Sequence, residues 1–364
     1  MNPMKRIALI LISFLPLFGC DSNQQEQPTQ SFDRKAMLEN MADNLIIPAF
    51  SELQQQVISL ETAVKAFSAN PNTSTLSAAQ QAWESAYLSW QKATPFNFGP
   101  GELPVFGTLT ENIGIFPVST TKIENTIQSG NLSFDNFERD SRGFLALDYL
   151  LFSAEGNEDI LAKFSNENRR KYTVRVAEDI REKVTAVRTG WDSYRTSFIN
   201  NSGTDAGSST SILYNEFVKS FEAAKNFKVQ LPAGQRAGQT SAEPTRVEAF
   251  YSGKSLLFLE AHLTTIQRIW EGKSVSGQDG VGFEEYLNSV EGGSDLIAQT
   301  RTQLTAVQQA KGRVPAGRLS GSIQTNLSIV QDLGVELQKL TRFYKSDMAS
   351  LLGIAITFNS GDGD

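Results

Sequence analysis

The sequence predicts an all-α protein built as two helical bundles, roughly residues 32–200 and 210–352, followed by a polar tail that completes the second unit to residue 364. Three observations carry that prediction. Apolar residues recur at spacings of three and four over long stretches, the period of a helix with one buried face. Strand-like alternation is weak throughout. The stretch Asn200-Asn-Ser-Gly-Thr-Asp-Ala-Gly-Ser-Ser209 is rich in turn formers and lacks large apolar residues, so it reads as the linker between the halves.

The chain starts with Lys5 and Arg6 ahead of the apolar run Ile7–Phe18, which ends in Leu17-Phe-Gly-Cys20. A positive start followed by an apolar core too short to span a bilayer is a signal peptide, residues 1–19. A small residue before cysteine resembles a bacterial lipoprotein signal, with Cys20 the lipidated first residue of the mature chain. Asp21 directly after it resembles an inner-membrane retention signal, although inner and outer membrane both stay open. Residues 20–31 are polar and without apolar periodicity, a disordered tether between lipid and body.

From Phe32 to Ala66 the apolar positions Met37, Met41, Leu45, Phe50, Leu53, Val57, Leu60 and Val64 predict a helix that Pro48 kinks or divides. Thr75 or Ser77 is expected to cap the next helix, which runs to about Lys92 with Trp83, Tyr87 and Trp90 as a core stripe. Residues 94–118, rich in proline and glycine, form a long loop of the kind that often carries function. A short helix over Ser119–Gln128 comes next, then an apolar helix from about Arg139. A long helix from Asn166 to about Phe198 buries Val174, Ile180, Val184, Val187 and Trp191. After the linker, helices are expected at about 210–228, 252–271, 283–310 and 321–352, with a break at Gly292-Gly293.

The apolar helix holds the most informative residue. From Phe144 to Phe152 only Asp148 is charged, and large apolar side chains point to every side. Such a helix is normally buried, and a carboxylate inside it is costly unless paired or protonated. Gly143-Phe-Leu-Ala-Leu-Asp-Tyr-Leu-Leu-Phe152 resembles the signature helix of imelysin-like proteins, GxHxxE followed by an apolar YLL-type run. Gly143 matches the glycine, Leu145 stands in place of the histidine, and Asp148 replaces the glutamate. Ala82–Trp90 with Phe98-Gly-Pro100, Tyr251-Ser-Gly-Lys-Ser255 and the tail Phe358–Asp364 extend the resemblance over roughly residues 40–364. The resemblance implies two up-and-down helical bundles packed side by side, with the candidate site near their junction, and a link to iron uptake.

Composition limits the chemistry. The single cysteine, Cys20, leaves no intramolecular disulfide and no cysteine-based metal site. Loss of Lys5 and Arg6 with the signal takes the net charge from −7 to −9, which argues against nucleic acid as a partner. The imelysin resemblance brings a peptidase expectation, but catalytic zinc usually takes three ligands dominated by histidine. The only histidine is His262, and Leu145 has no lone pair, so a two-histidine site cannot form. Iron or another hard cation on oxygen ligands alone remains open. His262, in an amphipathic helix, reads as a hydrogen-bonded packing residue.

Two further motifs dissolve on inspection. Gly253-Lys-Ser255 lacks the glycine a phosphate loop needs five positions earlier, where Glu248 stands. Asn359–Asp364 would offer a calcium loop only Asn, Gly and Gly at its first three ligand positions, with no closing glutamate.

The sequence thus points to a non-catalytic, imelysin-like lipoprotein of the bacterial envelope, facing the periplasm and held to the membrane through Cys20. Its role is a binding or accessory one beside iron-uptake envelope proteins. An imelysin-type metallopeptidase and a structural envelope protein are the alternatives. The candidate binding pocket comprises Gly143, Leu145, Asp148, Ser252, Lys254 and Ser255, with Lys254 expected as the positive partner of Asp148.

Overall fold

Asp33 opens the first helix, α1 (Arg34–Asn40), by accepting from the Ala36 N–H at 3.0 Å. The computed structural model of the protein describes residues 32–103, 107–134 and 138–358. The expected signal peptide, Cys20, the expected tether and the tail beyond Phe358 lie outside the described residues. The helix widens to a π turn at Met41–Ile46 and resumes as α2 (Ile47–Ala69), with Pro48 in its first turn. The π turn accommodates the residue that has no N–H, so the helix changes pitch there and continues.

Asn72, not Thr75 or Ser77, caps α3 (Thr73–Ala93). Its side chain accepts from the Ser74 and Thr75 N–H groups, and the Thr75 hydroxyl accepts from the Asn72 N–H. Asparagine outranks threonine as a cap, and Thr75 serves as the reciprocal member of a capping box. Trp83, Tyr87 and Trp90 are all buried, as the stripe requires.

The loop after α3 holds a short antiparallel pair, β1 (Glu102–Leu103) with β2 (Gly107–Thr108), then α4 (Leu109–Ile113) and a cis Phe116–Pro117 bond. Next come α5 (Thr120–Ser129), α6 (Phe144–Leu151), α7 (Asn157–Lys163) and α8 (Glu167–Asn200). Helix α8 buries Tyr172, Val176, Ile180, Val184, Val187 and Trp191. Val174 is only half-buried, because two residues from Tyr172 or Val176 is more than half a turn away.

Beyond the connection 201–208 lie α9 (Ser209–Ala223), a second π turn (Ala224–Gln230), α10 (Ser255–Glu271), α11 (Phe283–Asn288) and α12 (Gly293–Arg313). The break expected at Gly292-Gly293 separates α11 from α12, with Gly292 at φ +79°. Then follow α13 (Leu319–Thr325), α14 (Leu327–Arg342), a third π turn (Phe343–Met348) and α15 (Ala349–Leu352). The all-α class predicted from the sequence is the one observed.

Helix α2 packs against α3 and α8, and α12 against α14. Helix α10 crosses to α3, where the Phe258 ring meets Trp83 and Tyr87 edge-on at 5.6 and 4.6 Å between centroids. The chain from Phe32 onward forms one compact unit. No helix among the described residues is long and apolar enough to cross a membrane.

Candidate functional site

Helix α6 is placed by its first residue. Gly143 has φ +81°, and a Cβ there would lie 2.6 Å from the Ile113 carbonyl oxygen, so only glycine lets α6 enter this close to α4. Trp83 Nε1 then donates to the Phe144 carbonyl at 2.8 Å, fixing α6 against α3. All of α6 is buried except Tyr149, whose hydroxyl reaches out to Glu124 at 2.6 Å. Arg142, just before the helix, is also buried, but its guanidinium donates to the Phe134 carbonyl and to Asn112 Oδ1, not to Asp148.

Asp148 is 1 % exposed. Its Oδ2 accepts from the Tyr251 N–H at 2.9 Å and its Oδ1 from the Ser252 N–H at 3.0 Å. Two successive N–H groups aimed at one carboxylate form a nest, a concavity suited to an anion. Burial nevertheless dominates and pushes the Asp148 carboxyl up to about 7, against the pull of the Ser252 hydroxyl, the two N–H groups and Arg318. Beside it opens a cavity of about 540 Å³, lined by Leu145 and Asp148 from α6, by Phe116–Val118 from the long loop, and by Arg246, Val247 and Ala249–Tyr251. The site is mostly apolar, with a carboxyl in its wall and a half-exposed guanidinium, Arg246, paired with Glu243 at 3.2 Å.

The segment 248–254 forms the wall facing α6 and is braced from several sides. Glu248 turns into the core, where its Oε1 accepts from the Tyr87 hydroxyl at 2.6 Å and pairs with Lys228 Nζ at 2.9 Å. Lys228 also donates to Gln91 Oε1 at 2.7 Å. Burial pulls the Lys228 amine down and pushes the Tyr87 phenol well up. The Ser255 hydroxyl donates to the Glu248 carbonyl. Ala249 follows at φ +51°, a left-handed conformation that a non-glycine residue rarely holds without support.

The structure brings Leu145 and Asp148 together in one cavity and sets the Ser252 N–H on the carboxylate. It takes Lys254 and Ser255 elsewhere. Lys254 pairs with Glu84 of α3 at 3.2 Å and lines a separate cavity. The expected Lys254–Asp148 pair is therefore replaced by backbone N–H groups, because the turn at Gly253 (φ +74°) precedes Lys254 and its amine goes to α3. Ser255 serves the fold of the wall. His262 is buried with its Nε2 2.8 Å from the Ser220 hydroxyl, and burial holds it well below the usual imidazole range.

Sequence reading placed Tyr87 in the core stripe without its bond to Glu248, and missed Lys228, Arg246 and Arg318. Glu248 left a signal, a lone acid before Ala-Phe-Tyr, but it served there solely to reject a phosphate loop.

The family metal site does not fit these residues. Leu145 presents hydrocarbon where the motif has a nitrogen donor, and both Asp148 oxygens are engaged by N–H groups. Among the described residues no group of three or more His, Cys, Asp or Glu side chains is placed to hold a metal ion.

Comparison with known proteins agrees with the fold and the family resemblance. The Imelysin peptidase family model matches residues 46–333. No curated protein matches the chain. A solved imelysin-like protein from Psychrobacter arcticum 273-4 superposes with a TM-score of 0.71 at 16% identity, covering 90% of this chain and 97% of that one. A second, described as an iron-regulated protein A precursor from Parabacteroides distasonis ATCC 8503, gives a TM-score of 0.67 at 16% identity, covering 86% and 95%. At that identity the likeness is one of fold.

Proposed function

This chain belongs to the imelysin family, and on that premise we propose that it is a non-catalytic, membrane-tethered binding or accessory protein of the bacterial envelope, linked to iron uptake. The observation that carries the reading is the pocket over Asp148. It keeps the position of the family motif but has hydrocarbon at Leu145 and a carboxyl whose two oxygens each accept a backbone N–H. A zinc hydrolase needs an open coordination position held by strong donors. This pocket suits instead a small ligand with an apolar body and a polar group turned toward the carboxyl. The iron link draws support from the structural neighbour described as an iron-regulated protein A precursor. The membrane tether rests on Leu17–Cys20.

The deciding measurement is cleavage of a peptide panel by the purified mature protein, with and without chelator, alongside its elemental analysis. No cleavage and no stoichiometric zinc are expected, together with a growth defect of the deletion strain in low iron. Chelator-sensitive cleavage with bound zinc would overturn this in favour of a metallopeptidase, the reading that the family's peptidase name supports. Normal growth in low iron would favour a structural envelope protein.

A further inference from the structure

We infer that Arg318 is a positioning residue for the Asp148 pocket, acting on the carboxylate through two peptide groups that stand between them. The inference rests on the pocket reading above only for its functional meaning. Its geometry is independent of any ligand.

Arg318 Nη1 donates to the Phe250 carbonyl at 2.9 Å, and the N–H of that same peptide, on Tyr251, donates to Asp148 Oδ2 at 2.9 Å. Arg318 Nη2 donates to the Tyr251 carbonyl at 3.1 Å, and the N–H of that peptide, on Ser252, donates to Asp148 Oδ1 at 3.0 Å. Two consecutive peptides are thus clasped between a bidentate guanidinium and a bidentate carboxylate. Each peptide dipole has its oxygen toward the cation and its N–H toward the anion, so both charges gain from the same alignment. Hydrogen bonds in such a chain polarise one another, and bonds to ionised groups are the strong ones.

The placement of the two charges gives the clasp its use. Asp148 lines the apolar pocket, whereas Arg318 lines a second cavity of about 740 Å³ with Lys254 and Lys311. The backbone from Phe250 to Gly253 is the partition between them. Gly253 belongs to the same device, since a Cβ there would fall 2.6 Å from the Arg318 side chain. Arg318 lies 68 residues from Phe250 in sequence, at the start of α13. It therefore ties the α12–α13 connection to the pocket wall and keeps both N–H groups turned to the carboxylate.

The test is amide hydrogen exchange at Tyr251 and Ser252 in wild type, Arg318→Met, Asp148→Asn and the double variant, with unfolding in denaturant followed in parallel. Arg318→Met is expected to lower protection of these two amides about tenfold, equivalent to about 1.4 kcal/mol, while the α8 amides keep theirs. In the Asp148→Asn background the same change should cost clearly less, a non-additivity between side chains that do not touch. Arg318→Lys keeps the charge but not the fork, so it should recover part of the protection, and it serves for the comparison if Arg318→Met does not fold. Equal losses in both backgrounds, or unchanged protection at both amides, would overturn the inference. Neither readout involves a ligand, so failure of the binding role and failure of the clasp are told apart.

Discussion

At Asp148 two demands oppose each other. The nest of N–H groups favours the carboxylate, while complete burial favours the neutral acid and brings the group to about 7. Because the folded value lies above the unfolded one, the unfolded chain gives up its proton first. Stability is then fullest below about pH 4 for this group and falls as pH rises toward 7, by at most about 1.4 kcal/mol for each unit crossed. Denaturant unfolding between pH 4 and 8 should show this slope in wild type and not in Asp148→Asn, once the other groups' common contribution is subtracted. Lys254 and Lys228 make the complementary contrast. Lys254 is 43 % exposed in its pair with Glu84, so Lys254→Ala should cost under about 1 kcal/mol. Lys228→Met strands the buried Glu248 carboxylate and should cost about 3–5 kcal/mol by the same measurement.

Among the elements, α6 was the most legible in sequence and the wall opposite it the least. An apolar octet with a single acid announces a buried helix by composition alone. The wall 248–254 has no periodicity, and its shape comes from Tyr87, Gln91, Lys228 and Arg318, which lie far away along the chain. A basic residue in Val314-Pro-Ala-Gly-Arg318 reads as solvated surface, and nothing local says that its fork meets two carbonyls. The same limit explains the misplaced Lys254. Its neighbourhood was foreseeable, but the direction of its side chain depends on the turn at Gly253. Helix α3 is the element on which α6 and α10 both lean, through the Trp83 ring and its Nε1 bond to Phe144. Trp83→Ala should therefore cost about 3–5 kcal/mol in chemical denaturation, more than a cavity of purely aliphatic lining would predict from area alone.

On the scale of the whole molecule, the helical class and the course of most helices were written in the spacing of apolar residues. The packing of α10 against α3, one of the contacts between the two halves, was not, since it depends on which faces meet. The proposed tether rests on the sequence alone, on Leu17–Cys20. Fractionation of cells expressing Cys20→Ser should move the protein from the membrane to the soluble fraction. Each buried methylene of an acyl chain contributes about 0.8 kcal/mol, and a lipoprotein's several chains sum to stable attachment. Retention of that variant on membranes would remove the lipid anchor from the account.

The braced wall has a kinetic consequence. Glu248, Tyr251 and Ser252 are each held by hydrogen bonds to distant parts of the fold. A ligand that enters the pocket consequently meets a surface whose ordering entropy is already spent, and little of its contact energy is diverted to arranging the loop. Titration calorimetry on such a site reads as lock and key, with a small entropic penalty. Differences among ligands then appear in how long each stays, with arrival rates nearly alike.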